Sequence, residues 1–235
     1  MNTQYGLERC RTFINAHLQS AGKVAAAAQG DVPRRVVTIS RQTGSGAHAV
    51  AEKLAACLQA LSPAHACPWT VFDRNLVEKV LEDHNLPQRL AQFMPEDRVS
   101  EIADTMDELF GLHPPSWTLV RQTSDTILRL AELGNVILIG RGATILTRKL
   151  DYVLHVRLVG SLENRVQHVQ ELEHLGREAA LNIIRREDRG RMRYLKKYFD
   201  TDIEDPLLYH FVINTDLVSY EEAAGMIAAA VLKRT

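Results

Sequence analysis

Two glycines and a nearby arginine mark the stretch of this sequence whose residue types suit anion binding. Arg41, Gly44 and Gly46 lie in the segment VVTISRQTGSGAHAV, between a short apolar run and a helical pattern. Glycines let the backbone turn tightly and approach a ligand, while loop amides and the positive end of the next helix attract an anion. The layout predicts a phosphate-binding loop. An ordinary strand-to-helix turn is the alternative interpretation.

The loop matches the Walker A pattern only in part. When Gly46 is taken as the second glycine of G-x-x-x-x-G-K-[ST], Arg41 stands at the first glycine, Ala47 at the lysine and His48 at the Ser/Thr position. The lysine for the β- and γ-phosphates and the hydroxyl for magnesium are therefore both absent from this motif. We predict that Arg41 supplies the missing charge, the alternative being an arginine that faces solvent or pairs with a nearby acid.

Two further charged residues follow short apolar runs. Asp73 comes directly after Trp69 to Phe72, and Arg141 stands between two glycines after Val136 to Ile139. Open α/β sheets bind ligands at the carboxyl ends of their strands, so both side chains are candidate ligand contacts. Asp73 is equally compatible with an N-cap on the next helix, and Arg141 with a surface turn.

An arginine cluster between Ile184 and Tyr194 is the third candidate for anion chemistry. On a helix, Arg185 and Arg189 share a face, and Asp188 and Arg191 are three residues apart. We predict a lid that closes over an anion. A solvated helix with internal ion pairs is the alternative. The five arginines of the cluster are Arg185, Arg186, Arg189, Arg191 and Arg193.

The elements that must position these residues alternate between strand and helix. Apolar runs predict about five strands, around Val36, Thr70, Val136, Val153 and Phe211. Together they predict an α/β protein: a three-layer α/β/α P-loop NTPase-like fold with a mostly parallel five-stranded sheet. The long excursion over about 76–133 predicts a helical insertion, and about 184–205 an arginine-rich lid.

The predicted domain occupies 34–235, and 1–33 form an appended N-terminal helical segment. The apolar stripe of that segment predicts packing on the core, or else contact with another subunit in a homo-oligomer. The chain has 235 residues, a formal net charge of −1 and three scattered cysteines. We therefore expect a cytoplasmic protein that binds neither nucleic acid nor a membrane.

Four blocks of the chain resemble the cytidylate kinase-like family. The blocks are VVTISRQTGSGAHAVAEKLA, VFDRNLV, NVILIGRGATIL and REDRGRMRYLKKYF with DPLLYHFVINTD, and the resemblance runs from about Val36 to Lys233. The loop of that family also commonly lacks the Walker lysine. This sequence departs from the family pattern at His48, and at His210, where the family usually has Asp after Tyr.

The resemblance implies ATP-dependent phosphoryl transfer to a nucleoside monophosphate, with CMP or dCMP as the first candidates for the acceptor. It also implies a magnesium ion, for which it names no protein ligand. The residues it implies for the donor phosphates are Thr43, Gly44, Ser45, Gly46, Ala47 and His48, with Arg41 adding charge. It implies that Asp73 and Arg141 hold the acceptor. It also implies that Arg186, Arg189 and Arg191 close over the site from the lid, and that Asp188 orients an arginine.

Two other functions remain open from the sequence. The same fold can serve a kinase of another small acceptor, because a fold does not fix the substrate. The missing lysine and hydroxyl also favour a nucleotide-binding regulatory or interaction module with little or no kinase activity.

Overall fold

The computed structural model describes residues 12–13, 15–16, 34–63, 67–73, 102, 105–106 and 118–234. The strands are β1 Val36–Arg41, β2 Thr70–Phe72, β3 Val136–Ile139, β4 Val153–Val159 and β5 Phe211–Asn214. The helices are α1 Ala47–Leu61, α2 Thr118–Leu133, α3 Ala143–Leu146, α4 Leu162–Glu173, α5 Arg177–Phe199 and α6 Tyr220–Leu232, with a 3-10 turn at Pro206–Leu208.

The five strands form one sheet in the order β2-β3-β1-β4-β5, and every neighbouring pair is parallel. The prediction of a mostly parallel five-stranded sheet is therefore confirmed. Val36 at the start of β1 is in register with Val136 on one side and Val153 on the other. Because all strands run the same way, their carboxyl ends lie at one edge of the sheet.

Helices cover both faces of the sheet and give it the predicted three layers. Val37 and Ile39 point to the face packed by α1 and α6, whereas Val36 points to the face packed by α2 and α3. Strands buried on both faces are continuous apolar runs rather than alternating ones, which explains why β1 and β3 stood out in the sequence. The observed strand β2 begins at Thr70, one residue later than the apolar run from Trp69 to Phe72.

Side-chain caps fix the helices that follow β4 and β5. The Ser161 hydroxyl accepts the Asn164 amide at 3.3 Å at the start of α4. At the start of α6, Ser219 and Glu222 form a capping box, with each side chain accepting the other residue's amide. These caps hold the first turns of both helices beside the glycine loop, where the candidate site lies.

The N-terminal segment and the insertion lie largely outside the described residues. Phe13 is fully buried and its ring packs edge-on against Phe72, with 5.5 Å between the ring centroids. Ile102 and Met106 belong to the same buried cluster. Phe13 therefore packs within the chain, and the homo-oligomer stays a prediction. No helix among the described residues has the length and apolar character needed to cross a membrane.

Candidate active site

A cavity of about 670 Å³ opens at the carboxyl ends of the strands. It brings together predicted site residues that are far apart in the sequence, because β1, β2 and β3 all end there. The predicted residues that line it are Arg41, His48, Asp73, Arg141, Arg186 and Arg191. Arg189 is exposed on α5 and is not among the lining residues.

The glycine loop is a tight turn held by its own polar groups. Gly44 and Gly46 have φ of +86° and +75°, in the left-handed region that favours glycine. The buried Ser45 hydroxyl donates to the Gln42 carbonyl at 2.8 Å, and the Gln42 amide donates to the Leu158 carbonyl at 3.0 Å. Ser45 therefore closes the turn, while Gly46 forms the N-cap of α1 and supplies no capping oxygen.

Both glycines are also required by packing. A Cβ atom on Gly44 would lie 2.9 Å from the Cβ of Arg165, and one on Gly46 would overlap the ring of Tyr220. A substitution such as Gly46→Val would therefore displace α6 as well as alter the loop. Loss of ligand binding in that variant would not by itself identify the loop as the site.

Arg41 lies deep in the wall of the cavity, to which it is partly exposed. Its pKa is lowered to about 10, chiefly by burial and then by the nearby charge of Arg191, while Glu187 and Asp73 act in the opposite direction. Its guanidinium lies against Gly140, where an added Cβ would be 3.1 Å from the Arg41 Cζ. The fold thus holds a cation next to the loop although burial disfavours its charge.

The turn after β3 and the end of β2 supply further lining residues of the cavity. Arg141 has φ of +54°, and its Cζ lies 5.7 Å from the centroid of the Tyr194 ring. Asp73 Oδ2 lies 3.6 Å from His48 Nε2. Because the residues directly after Asp73 lie outside the described part, its alternative role as an N-cap stays open.

Asp188 joins helix α5 to the glycine loop. Its Oδ1 accepts the Thr43 amide at 2.7 Å and Arg191 Nη2 at 2.7 Å, and its Oδ2 accepts Arg165 Nη1 at 2.8 Å. Burial acts to raise the pKa of Asp188, but the hydrogen bonds from Thr43 and Arg165 and the charge of Arg191 outweigh it, and the net pKa is lowered. Asp188 therefore stays ionised and orients two arginines.

A second buried arginine supports the cavity wall from β4. Arg157 is 3% exposed, and its guanidinium donates to the Ser40 hydroxyl at 3.0 Å and pairs with Glu204 at 2.5 Å. Tyr209 has its hydroxyl 3.2 Å from that of Ser40 and donates to the Ile203 carbonyl at 2.9 Å. This network fastens the segment after α5 to the end of β1.

Sequence reasoning missed Arg165, Gln42 and Arg157 as site residues. Arg157 carried a usable signal, because a charge inside an apolar strand has to be paired when the strand is buried. Arg165 and Gln42 carried none, because the Gln42 side chain accepts the Gly160 amide and Arg165 binds Thr43 and Asp188, all distant in sequence. Their roles depend on how α4 crosses the loop.

His210, which departs from the family pattern, lies outside the lining of the cavity. Its Nδ1 accepts the His155 amide at 2.9 Å, and the two rings stack at 5.1 Å. Burial, followed by the charge of Arg234, lowers the pKa of His210, and burial with the nearby His210 lowers that of His155 to about 4. The departure is therefore accommodated by local packing at the junction of β4 and β5.

Comparisons with known proteins find a family match and relatives at low identity. The cytidylate kinase-like family model matches residues 36–217. The cytidylate kinase of Pyrococcus horikoshii is 28% identical over 160 residues, covering 66% of this chain and 80% of the relative. That of Methanococcus aeolicus is 24% identical over 163 residues, covering 68% and 91%.

A solved structure of an uncharacterized protein from Eubacterium ventriosum shares the fold. Its TM-score is 0.66 at 21% identity, and the match covers 86% of this chain and 99% of that one. The family match covers every residue that lines the cavity, from Ser40 at the end of β1 to Tyr209 before β5. The chain therefore belongs to the cytidylate kinase-like family.

Proposed function

We propose that this protein transfers the terminal phosphoryl group of ATP to a nucleoside monophosphate, with CMP or dCMP as the first candidates. One observation carries the proposal: among the described residues, Arg41, Arg141, Arg186 and Arg191 all line one cavity beside a glycine loop. A cavity with this charge suits two phosphorylated ligands that face each other. The preference for cytidine nucleotides rests on the relatives named cytidylate kinase.

Phosphoryl transfer requires little covalent chemistry from the protein. It requires alignment of donor and acceptor, and positive charge around the migrating group. In the proposed reaction, Arg41 places charge at the donor phosphates, and Arg186 and Arg191 add charge from the lid. Arg141, held over the Tyr194 ring, binds the acceptor phosphate.

Magnesium is expected from the family, and the cavity is lined by carboxylates of the type that suits it, Asp73, Glu173 and Glu187. Among the described residues there is no group of three side chains that could bind a metal. Magnesium in kinases is held by one or two carboxylates, with waters and substrate phosphates completing its shell. Asp73, a carboxylate in the cavity wall, would hold the ion. The ion would supply positive charge that offsets the negative charge of the phosphates, and Asp73 is also our candidate for acceptor binding.

The test is an ADP-release assay with ATP and each nucleoside monophosphate in turn. Turnover with CMP or dCMP above the other monophosphates supports the proposal. Turnover with no monophosphate but with another phosphorylated or hydroxyl-bearing small molecule indicates a kinase of a different acceptor.

A nucleotide-binding module without activity is the second candidate function. It is favoured by Ala47 at the lysine position and by Asp188, which holds a loop amide that a phosphate would use. ATP binding in calorimetry together with no ADP release for any acceptor would select this candidate and exclude the kinase.

A further inference from the structure

The Asp188 carboxylate receives the set of donors that a phosphate in this loop would receive. They are the Thr43 amide at 2.7 Å, the Thr43 hydroxyl at 2.9 Å, and the guanidinium groups of Arg165 at 2.8 Å and Arg191 at 2.7 Å. A loop amide, a hydroxyl and two arginines are typical ligands of a phosphoryl group. The carboxylate thus lies where the oxygens of an anionic ligand would lie.

We propose that Asp188 occupies the subsite of the donor's terminal phosphate, and that Arg165 is a ligand of that phosphate once Asp188 has left. The identity of the donor as a nucleoside triphosphate rests on the proposed function. The anion subsite itself rests on the contacts of Asp188. Asp188 is then an internal competitor of the ligand, and Arg165 is a binding residue that sequence reasoning missed.

Arg165 is fixed in place by groups other than Asp188. It is 9% exposed, its Nε donates to the Gly160 carbonyl at 3.0 Å, and its Nη1 donates to the Thr43 carbonyl at 3.1 Å. These main-chain carbonyls accept hydrogen bonds from the Arg165 guanidinium but do not neutralise its charge. A buried guanidinium that keeps its position needs a counter-anion, which is Asp188 here and a phosphate in the complex.

The Asp188 side chain can move away from this set of donors more easily than the Arg165 side chain can. Its side chain is 25% exposed, whereas that of Arg165 is 10% exposed. A carboxylate and a phosphate repel each other strongly at hydrogen-bond distances, so the two do not share these donors. If Asp188 instead braces the loop while phosphate binds elsewhere, removing its charge weakens anion binding. The two accounts therefore predict opposite effects.

The experiment measures pyrophosphate binding to the full chain by calorimetry at pH 7. Asp188→Asn keeps the size of the side chain and removes its charge. We expect this variant to bind pyrophosphate at least about tenfold tighter than the wild type, because like-charge competition is removed. Glu178→Gln is the matched control, an equal charge change at an exposed residue of the same helix, and should stay within about twofold.

Arg165 is tested in the Asp188→Asn background. Arg165→Met should lose at least about tenfold of the pyrophosphate affinity, and Arg165→Lys should recover part of it. Arg177→Met, at an exposed arginine, is the control. Unchanged affinity after Arg165→Met would remove Arg165 from the subsite. Asp188→Ser provides the same comparison should Asp188→Asn fail to fold.

The outcome separates this inference from the proposed function, since pyrophosphate binding requires neither an acceptor nor turnover. Equal or weaker binding by Asp188→Asn overturns the inference, even if the wild type phosphorylates CMP. Tighter binding by Asp188→Asn supports the inference, even if no monophosphate is phosphorylated.

Discussion

Replacing Arg41 should stabilise the fold and abolish ATP binding at the same time. Arg41 is a cation in the cavity wall, next to Arg191 and against Gly140. Its charge is unfavourable in the unliganded protein and becomes favourable once a triphosphate arrives. Arg41→Met keeps a long side chain and removes the charge, so it separates the contribution of Arg41 to stability from its contribution to binding.

The size of the effect follows from the pKa of Arg41. In the folded protein this pKa is lowered from 12.5 to about 10, chiefly by burial and then by Arg191. A shift of this size corresponds to about 3 kcal/mol. Because the folded pKa lies below the unfolded one, folding carries this cost in full below pH 10. The cost disappears as the pH rises from about 10 toward 12.5.

The assay is unfolding by urea and by heat at pH 7.5. We expect Arg41→Met to raise the free energy of unfolding by about 1 to 3 kcal/mol, in line with the replacement of buried charges by apolar side chains. For a chain of this size, each kcal/mol raises Tm by about 2 to 4 °C. Arg185→Met, at an exposed arginine of α5, is the control and should change stability by less than about 0.5 kcal/mol.

ATP should raise the Tm of the wild type and leave that of Arg41→Met unchanged, because only a ligand that binds the folded state stabilises it. A variant that is less stable than the wild type would refute the claim that Arg41 is held at an energetic cost. A variant that binds ATP normally would refute the claim that Arg41 replaces the Walker lysine.

Three further predictions concern the surroundings of Arg41 and the lid. Gly140→Ala places a methyl group against the Arg41 guanidinium at a φ of +78°, and should lower kcat/KM at least tenfold and stability by about 1 to 2 kcal/mol, measured by steady-state kinetics and urea unfolding. Arg157→Ala leaves a void and should cost about 2 to 3 kcal/mol in urea unfolding, whereas Glu204→Gln, at a side chain 52% exposed, should cost less than about 1 kcal/mol. Arg186→Ala should lower kcat at least about tenfold with Tm unchanged, since the residue is exposed and its charge acts on the transition state.

The fold was accessible from the sequence because parallel strands buried on both faces are apolar along their whole length. Val136 to Ile139 showed this property, the run from Val36 showed it apart from Thr38 and Ser40, and both became central strands. The positions of Asp73 and Arg141 also followed from sequence, since residues just after parallel strands gather at one edge of the sheet.

The contacts of the loop could not be predicted in the same way. Arg165 looks like any arginine in the first turns of a helix, and only the crossing of α4 beside the loop makes it a partner of Asp188. Tyr220 likewise lies next to Gly46 only because α6 packs along α1. Such contacts depend on how whole helices are placed, and the local pattern of residue types carries no information about that placement.

The most direct test of the central claim is to follow the products formed from ATP and CMP by the wild-type protein. Anion-exchange separation of the nucleotides should show CDP and ADP appearing in equal amounts, with the rate lowered at least about a hundredfold in Arg41→Met. Equal rates in the wild type and in Arg41→Met would contradict the proposed role of the cavity. The absence of CDP, and of any other nucleoside diphosphate when CMP is replaced by each other monophosphate, would contradict the proposed function.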